Sequence, residues 1–515
     1  MIKTVVRANN YMDSIFLMNA SKEVMQVKGV KDAVLIMGTE MNKTVLADFG
    51  GLTDEAKSAG TNDLIISLDI EDESLVNEVI SCLDRILNKK EKHIEKQEFS
   101  YQSFKKALSA MPEANLAVIS VPGEYAAQEA MTALEHNMNV FIFSDNVPLE
   151  DEIELKRVGR EKGLLVMGPG CGTSVINNIS IGLMSKVRRG SIGIVGASGS
   201  GIHEIAVLVH RYGFGISQAI GTGGRDLSRE IGGSTMLQGI EYLEQDKNTK
   251  VIVLVSKPPH PETTKKIIEK IKHCNKPVVV FFLGGDPQQV TDAGAFSAAT
   301  LEEAAKIAVD LVQGKGIENT DYVCYCKNEL AEFAAKEKAK LKPEQKYMRG
   351  LFCGGTHSEE AVLLLQDFVP DLHSNLRFGK VNILADSYVS MGNSLVDMGS
   401  EEFTKGKPHP VMDPSILKDR LMMEGSDPEV AVILFDLLFG HGVHKDPVGT
   451  IEETLAAIRD KAKAEGRYIS MVASLCGTDL DPQDVNSQRK RLEALGVNIL
   501  PSNCKAAILS GLIVS

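Results

Sequence analysis

The chain has 515 residues, 43% of them hydrophobic and 24% charged, the balance of a soluble globular protein long enough for several domains. Its formal net charge of -13 excludes a nucleic-acid or anionic-membrane surface as its main partner. No apolar run reaches the roughly 18 residues of a membrane helix, and Met1 to Ala20 is broken by Arg7, Asn9, Asn10 and Asp13, so no signal peptide is expected. Eight cysteines are scattered; the close pair Cys324 and Cys326 has one residue between, not the two of a zinc or redox motif. A reduced, cytoplasmic chain without a metal site is expected.

Along the chain, strand-like apolar runs alternate with helical patterns. Residues 34–37 run into Gly38-Thr39, 115–121 into Pro122-Gly123, 140–143 into Ser144-Asp145-Asn146 and 164–167 into Gly168-Pro169-Gly170. Further on, 251–255 ends at Ser256-Lys257-Pro258-Pro259 and 278–283 at Gly284-Gly285. Continuous apolar strands of this kind read as buried on both faces and parallel. Alternated with helices they predict an α/β protein of several doubly wound, Rossmann-like and flavodoxin-like parallel-sheet domains. Ligands in such sheets sit beyond the carboxyl ends of the strands.

The segment Ile192-Gly193-Ile194-Val195-Gly196-Ala197-Ser198-Gly199-Ser200-Gly201 is a strand followed by a small-residue loop, with a helical pattern from Ile202. The loop offers N–H groups at a helix N-terminus, where the dipole favours an anion, and the hydroxyls of Ser198 and Ser200. Ser198, Gly199 and Ser200 are therefore expected to cradle phosphate. Taken alone, such a loop is equally a plain strand-to-helix turn. A second glycine-bearing loop, Gly440-His441-Gly442, follows the apolar run 431–435 and Asp436. It is expected to close on the same anion, with His441 a donor to a developing oxyanion; alternatively its glycines serve turn geometry.

Two lysine-rich stretches, Lys89 to Gln97 and Ala331 to Lys346, read as boundaries, the second equally as an exposed helix. With a cut at Val187-Arg188-Arg189-Gly190 they divide the chain into an N-terminal α/β segment (1–100), a CoA-binding-like Rossmann domain (101–187), a flavodoxin-like domain with the phosphate loop (188–330) and a C-terminal domain (347–515).

From about Asn115 to Val312 the chain resembles the α subunit of succinyl-CoA synthetase and its acyl-CoA synthetase relatives. The resemblance rests on Gly168-Pro169-Gly170-Cys171-Gly172, on Ile192 to Ser200, and on Gly221-Thr222-Gly223-Gly224-Arg225-Asp226. The segment from about Val430 to Ile499 resembles the carboxyl-terminal domain of the β subunit. Over nearly the whole length the chain resembles the FdrA family, through residues 114–121, Gly123 to Ala127, Phe143 to Asn146, Gly223 to Glu230, Gly406-Lys407-Pro408-His409-Pro410 and Asp413-Pro414.

Two departures from the synthetases bear on the chemistry. Where they carry a phosphoryl-accepting histidine, this chain reads Thr291-Asp292-Ala293-Gly294-Ala295, and the segment supporting that histidine reads Ser256-Lys257-Pro258-Pro259. There is no room for a nucleotide-binding domain of roughly 200 residues. The CoA loop that opens the synthetase has no counterpart before Asn115, which leaves CoA in doubt. The FdrA resemblance implies a subunit of oxamate carbamoyltransferase in allantoin degradation, a cytoplasmic transferase needing no cofactor. It would convert N-carbamoyl-oxamate and phosphate into carbamoyl phosphate and oxamate without a phosphohistidine, with companion subunits and a homo-oligomeric assembly. The alternatives are an ADP-forming acyl-CoA synthetase, an acid–thiol ligase, or a non-catalytic subunit binding phosphate or CoA.

Arg225 and Lys257 follow predicted strands and are expected to point into the cleft, Arg225 toward a carboxylate; surface ion pairs are the alternative. Lys407 and His409 are candidates for binding the oxamate end or for acid–base work, or else shape a loop at a subunit contact. The resemblance places Gly170, Cys171, Gly223 and Gly224 along the substrate cleft, with Cys171 a packing or contact residue. His203 and His210 fall on the helix after the phosphate loop and are expected to be structural.

Overall fold

A computed structural model describes residues 1–10, 12, 14–93, 101, 103–317, 321–405 and 407–515. Asp13, Gly406 and residues 94–97 of the first lysine-rich stretch lie outside the described residues. Two compact units result, one of residues 1–110 with 401–408, the other of 111–400 with 409–515.

The first unit is built on a three-stranded sheet in which Leu64–Ile70 lies between Ile2–Arg7 and Val30–Met37. Both pairings are antiparallel, so the parallel wiring expected from the 34–37 run does not hold here. The middle strand is apolar because helices Ser14–Val24 and Leu75–His93 lay Leu17, Ala20, Val24, Val79 and Leu83 against Leu64, Ile66 and Leu68. Continuous burial thus marks the centre of a sheet and does not fix its direction.

The second unit holds three sheets. A short parallel sheet joins Leu116–Ile119, Asn139–Ile142 and Val166–Met167. A seven-stranded sheet runs Phe296–Ser297, Val278–Phe282, Val251–Ser256, Arg189–Gly196, Ile216–Gly221, Thr173–Ile176, Ile179–Gly182. Its first five strands are parallel and its last two antiparallel. Residues 173–182, ahead of the expected cut at 187, therefore pair into the sheet of the segment that follows it. A second seven-stranded sheet runs Asn382–Ile383, Leu372–Ser374, Asn393–Asp397, Tyr347–Phe352, Val430–Leu438, Ser470–Cys476, Asn498–Leu500, all parallel.

The topology positions the site. Arg189–Gly196 lies between Ile216–Gly221 and Val251–Ser256, and Tyr347–Phe352 between Asn393–Asp397 and Val430–Leu438. Each is the point at which its sheet winds outward in both directions. At such switch points the loops beyond the strand ends diverge and leave a crevice. The stretch 331–346, read as a boundary or a helix, is helical through Lys338 within Tyr322–Lys338. That helix buries Tyr322, Cys326, Leu330 and Ala334, four apart, in the same apolar core as Cys504 and Ile508.

Candidate active site

Ser198 caps the Gly199–Arg211 helix, its Oγ accepting from the Gly201 N–H at 3.0 Å. The same Oγ shares a hydrogen bond with Thr356 Oγ1 at 2.5 Å, and Thr356 N–H donates to Ser200 Oγ at 3.1 Å. Thr356 opens the Gly355–Leu365 helix, which follows Tyr347–Phe352 through Cys353 and Gly354 and has no side-chain cap of its own. Two helix N-termini, each at a switch point, therefore meet through their hydroxyls. Their dipoles present positive ends toward one place, where a negative oxygen is favoured.

The 353–356 turn is held from beneath. Asp436 Oδ1 accepts from Cys353 N–H at 2.6 Å, and Oδ2 from Gly354 N–H at 2.9 Å and His357 Nδ1 at 2.7 Å. Side chains here would collide. A Cβ on Gly354 would lie 2.9 Å from His357 Nδ1 and 3.0 Å from Asp436 Oδ2, and one on Gly355 would lie 3.2 Å from Asp397 Oδ2. Asp397 ends the neighbouring strand, and a Cβ on Gly399 would lie 2.8 Å from His409 Nε2. Burial lifts the Asp397 carboxyl to about 7, against the pull of the Gly399 N–H. Burial also lowers His409 to about 4, leaving its imidazole neutral near pH 7. For His357, burial works downward, but the hydrogen bond it donates to Asp436 and the charge of Glu204 outweigh it and raise the value to about 9. Lys257 crosses to this helix, its Nζ 2.5 Å from Glu359 Oε1.

The turn after Val166–Met167 forms another wall. Gly170, Cys171, Gly223, Ser198 and Gly199 line one cavity of about 20 Å³, room for about one water. Gly223 has φ +85°, and a Cβ there would lie 2.3 Å from Pro169 O, so close approach of two turns dictates glycine. Gly224 faces open space. Burial pushes the Cys171 thiol up to about 11, so it stays protonated and packs. A larger cavity of about 670 Å³ lies beyond the ends of Val251–Ser256 and Val278–Phe282, lined by Pro258, Thr264, Lys265, Gly285, Asp286 and Leu363 among others.

The structure thus brings Ser198, Gly199, Ser200, Gly170, Cys171 and Gly223 together, with Lys257 at the Thr356 helix and His409 at the Gly399 turn. Three expectations are corrected. The loop that faces Ser198 and Ser200 is Gly354-Gly355-Thr356 and not Gly440-His441-Gly442. The 440–442 loop packs on residues 182–185, with His441 N–H donating to Met184 O at 3.0 Å. A Cβ on Gly440 would lie 2.6 Å from Met184 and Ser185 backbone, and one on Gly442 2.9 Å from Leu183, so both glycines answer chain packing. The His441 side chain is exposed. Arg225 takes the ion-pair alternative, its Nε bonding Glu152 Oε2 at 2.9 Å and its Nη2 Val147 O at 2.6 Å. Lys407 belongs to the first unit, its N–H donating to Thr404 O, whereas His409 belongs to the second. His203 and His210 hold backbone, bonding Ser185 N–H at 3.1 Å and Arg188 N–H at 3.0 Å.

Thr356, Asp436, Asp397 and Glu359 are site residues that sequence reasoning missed. A signal existed for the first two. Leu351-Phe352-Cys353-Gly354-Gly355-Thr356 has the strand-to-small-loop form of residues 192–201, and Asp436 stands inside an apolar run where a carboxylate needs partners.

Over 509 residues, 99% of this chain and 98% of its relative, the sequence is 42% identical to the uncharacterized protein YahF of Escherichia coli (strain K12). The chain belongs to the YahF family. Within it, residues 1–103 match the family described as AllF, heavy metal-associated domain, residues 187–284 the CoA binding domain and residues 351–513 the CoA-ligase family. The last two matches carry the two facing helix N-termini. Over 188 residues, 36% of this chain and 63% of the relative, it is 30% identical to succinate–CoA ligase [ADP-forming] subunit alpha 2 of Archaeoglobus fulgidus. Over 219 residues, 40% and 72%, it is 27% identical to malate–CoA ligase subunit alpha of Methylorubrum extorquens. Among solved structures, ATP citrate lyase from Methanothrix soehngenii in complex with citrate and coenzyme A aligns with a TM-score of 0.37 at 20% identity, over 43% of each chain. The two ligase subunits bear out the expected likeness to succinyl-CoA synthetase and favour the acid–thiol ligase alternative over carbamoyl transfer. Among the described residues no helix is long and apolar enough to cross a membrane.

Proposed function

We propose that this chain is the acyl-transfer subunit of an acyl-CoA synthetase-like enzyme, an acid–thiol ligase in class, acting on an acyl phosphate. One observation carries the reading: the hydrogen bond at 2.5 Å between Ser198 and Thr356, which sets two helix N-termini face to face. In the bound state the phosphate group replaces that hydroxyl contact. Each hydroxyl then donates to a phosphate oxygen, and first-turn N–H groups of both helices stabilise the charge that grows as the acyl carbon–oxygen bond breaks. Lys257 screens the anion from the Glu359 side, and neutral His409 beside Asp397 takes or returns a proton at Nε2. The 20 Å³ space between the turns does not admit a pantetheine arm, whereas the 670 Å³ cavity is of ligand size. CoA would be held there by Thr264, Lys265 and the 284–286 turn, and would supply a thiol as acyl acceptor. Nucleotide handling falls to companion subunits, in keeping with the subunit names of the synthetase relatives.

A second reading, carbamoyl transfer from N-carbamoyl-oxamate to phosphate, uses the same cradle. It is favoured by Asp292, a carboxylate that accepts from Gln288 Nε2 at 2.7 Å and offers no nitrogen to carry a phosphoryl group. The test is exchange of labelled phosphate, with acyl phosphate plus CoA in one arm and N-carbamoyl-oxamate plus phosphate in the other. Turnover in the first arm supports the ligase reading and turnover in the second alone replaces it. In the active arm, Ser198→Ala or Thr356→Ala is expected to lower the rate by about 10²- to 10³-fold, the scale of one lost oxyanion donor. A rate unchanged in both variants overturns the shared cradle.

A further inference from the structure

Beneath the two helix N-termini, and separate from the phosphate-facing hydroxyls, lies a buried group of unlike ligands. Glu204 is on the Gly199–Arg211 helix, His357 on the Gly355–Leu365 helix, and Cys476 ends Ser470–Cys476. One carboxylate oxygen, one ring nitrogen and the thiol sulfur lie within 4.8 Å of one another, and the three residues are 2%, 0% and 1% exposed. His357 Nε2 makes no hydrogen bond although fully buried. It points at Glu204 Oε2 across 3.8 Å, too far for a hydrogen bond. The other ring nitrogen is engaged, Nδ1 bonding Asp436 Oδ2 at 2.7 Å. Glu204 uses Oε1 to accept from Asn503 N–H at 3.2 Å, and its carboxylate also takes a hydrogen bond from the Cys476 thiol, so that two of the three groups already converge.

We propose that Glu204 Oε2, His357 Nε2 and Cys476 Sγ bind a divalent zinc-type cation. Imidazole, thiolate and carboxylate together are a zinc donor set. Two ligands about 2.0–2.1 Å from a tetrahedral ion stand about 3.3 Å apart, so a gap of 3.8 Å closes on an ion with a small shift. The Asp436–His357 bond is the support that a ligating histidine needs, holding the ring through Nδ1 so that Nε2 faces the metal once its proton leaves. Binding displaces the proton of the Cys476 thiol and any proton on Nε2 to solvent, and a fourth position remains for a water. The ion joins three elements from distant parts of the chain and holds the two cradle helices in register. It is independent of which acyl group the cradle serves.

A second buried trio, Glu302, Cys326 and Cys504, has two sulfurs. Its carboxylate accepts from side-chain hydroxyls outside the trio, Ser502 at 2.7 Å and Tyr212 at 3.3 Å. The contrast supplies the control. The full-length chain, stripped with chelator, is titrated with Co²⁺. One ion per chain is expected, with a thiolate-to-cobalt charge-transfer absorption that Zn²⁺ competes away. Cys476→Ser is expected to abolish the absorption and Cys504→Ser to keep it. X-ray absorption of the zinc-loaded wild-type chain needs no variant, and one sulfur with nitrogen and oxygen neighbours is expected. A folded wild-type chain without the absorption overturns the proposal. So does an ion bound through two sulfurs, or an absorption that survives in Cys476→Ser.

Discussion

Two glycine turns of one sheet divide the molecule's lessons between them. Gly354-Gly355 follows Tyr347–Phe352, and Gly440-His441-Gly442 follows its hydrogen-bonded neighbour Val430–Leu438. Both end buried strands, both lack side chains where the chain needs space, and only one meets the Ser198–Ser200 loop. The difference lies in what stands where a Cβ would be. At Gly440 it is the backbone of Met184 and Ser185 at 2.6 Å. At Gly354 and Gly355 it is buried polar side chains, Asp436, His357 and Asp397, between 2.9 and 3.2 Å. A glycine that yields to backbone serves the fold, whereas one that yields to carboxylates and imidazole leaves polar groups aimed at a common point.

The largest expected effect tests that distinction from below. Asp436→Ala leaves the Cys353 and Gly354 N–H groups and His357 Nδ1 without their buried acceptor. Loss of about 3–5 kcal/mol is expected in denaturant unfolding. A loss below about 1 kcal/mol, the scale of an ordinary hydrogen bond, would mean that the turn keeps its form without this support.

How much of this was legible in the sequence follows from range. The 192–201 loop is readable because strand, small-residue turn, N-cap and helix are contiguous. The Gly354-Gly355 turn has the same local form, but Arg349 interrupts its apolar strand, and its meeting with Ser198 depends on a contact 158 residues away. Gly440 looked equivalent because nothing local reveals that Met184 approaches it. Arg225 looked free because its partner Glu152 lies 73 residues earlier, on the Leu149–Lys162 helix. The parallel α/β architecture was written in the alternation of 115–285. The antiparallel first unit was hidden because a central strand is apolar whichever way its neighbours run.

Gly440→Ala sharpens the comparison from the other side. The residue has φ +119°, and the new methyl meets backbone that has no rotamer to give. Destabilisation of about 1–3 kcal/mol is expected, with KM for phosphate unchanged in the protein that remains folded. A raised KM without loss of stability would restore this loop as a cradle.

Asp397, against which Gly355 is set, gives a pH-dependent test. Its folded value of about 7 lies above the ordinary 3.8, so the folded state binds that proton more tightly. The contribution to stability is full below pH about 3.8 and is lost as pH rises to about 7. Asp397→Asn removes this dependence. The wild-type chain should weaken relative to the variant between pH 4 and 7, by at most about 4 kcal/mol at 1.36 kcal/mol per unit, with a constant difference above that range. Parallel curves would show that the carboxyl is solvated.

The smallest effect is expected at His441. Its backbone is tied to Met184 while its side chain is exposed, so His441→Ala removes neither a packing contact nor a cradle donor. A change within about 0.5 kcal/mol is expected in unfolding, as for ordinary surface positions, together with an unchanged rate of phosphate exchange. Ser198→Ala and His441→Ala form a pair in this assay. Each alters a polar residue in a loop that follows a strand, yet only the first touches the facing helix. If His441→Ala slowed exchange as much as Ser198→Ala, the imidazole would have to reach the anion during turnover. The contact between Ser198 and Thr356 would then describe a resting state from which the 440–442 loop departs.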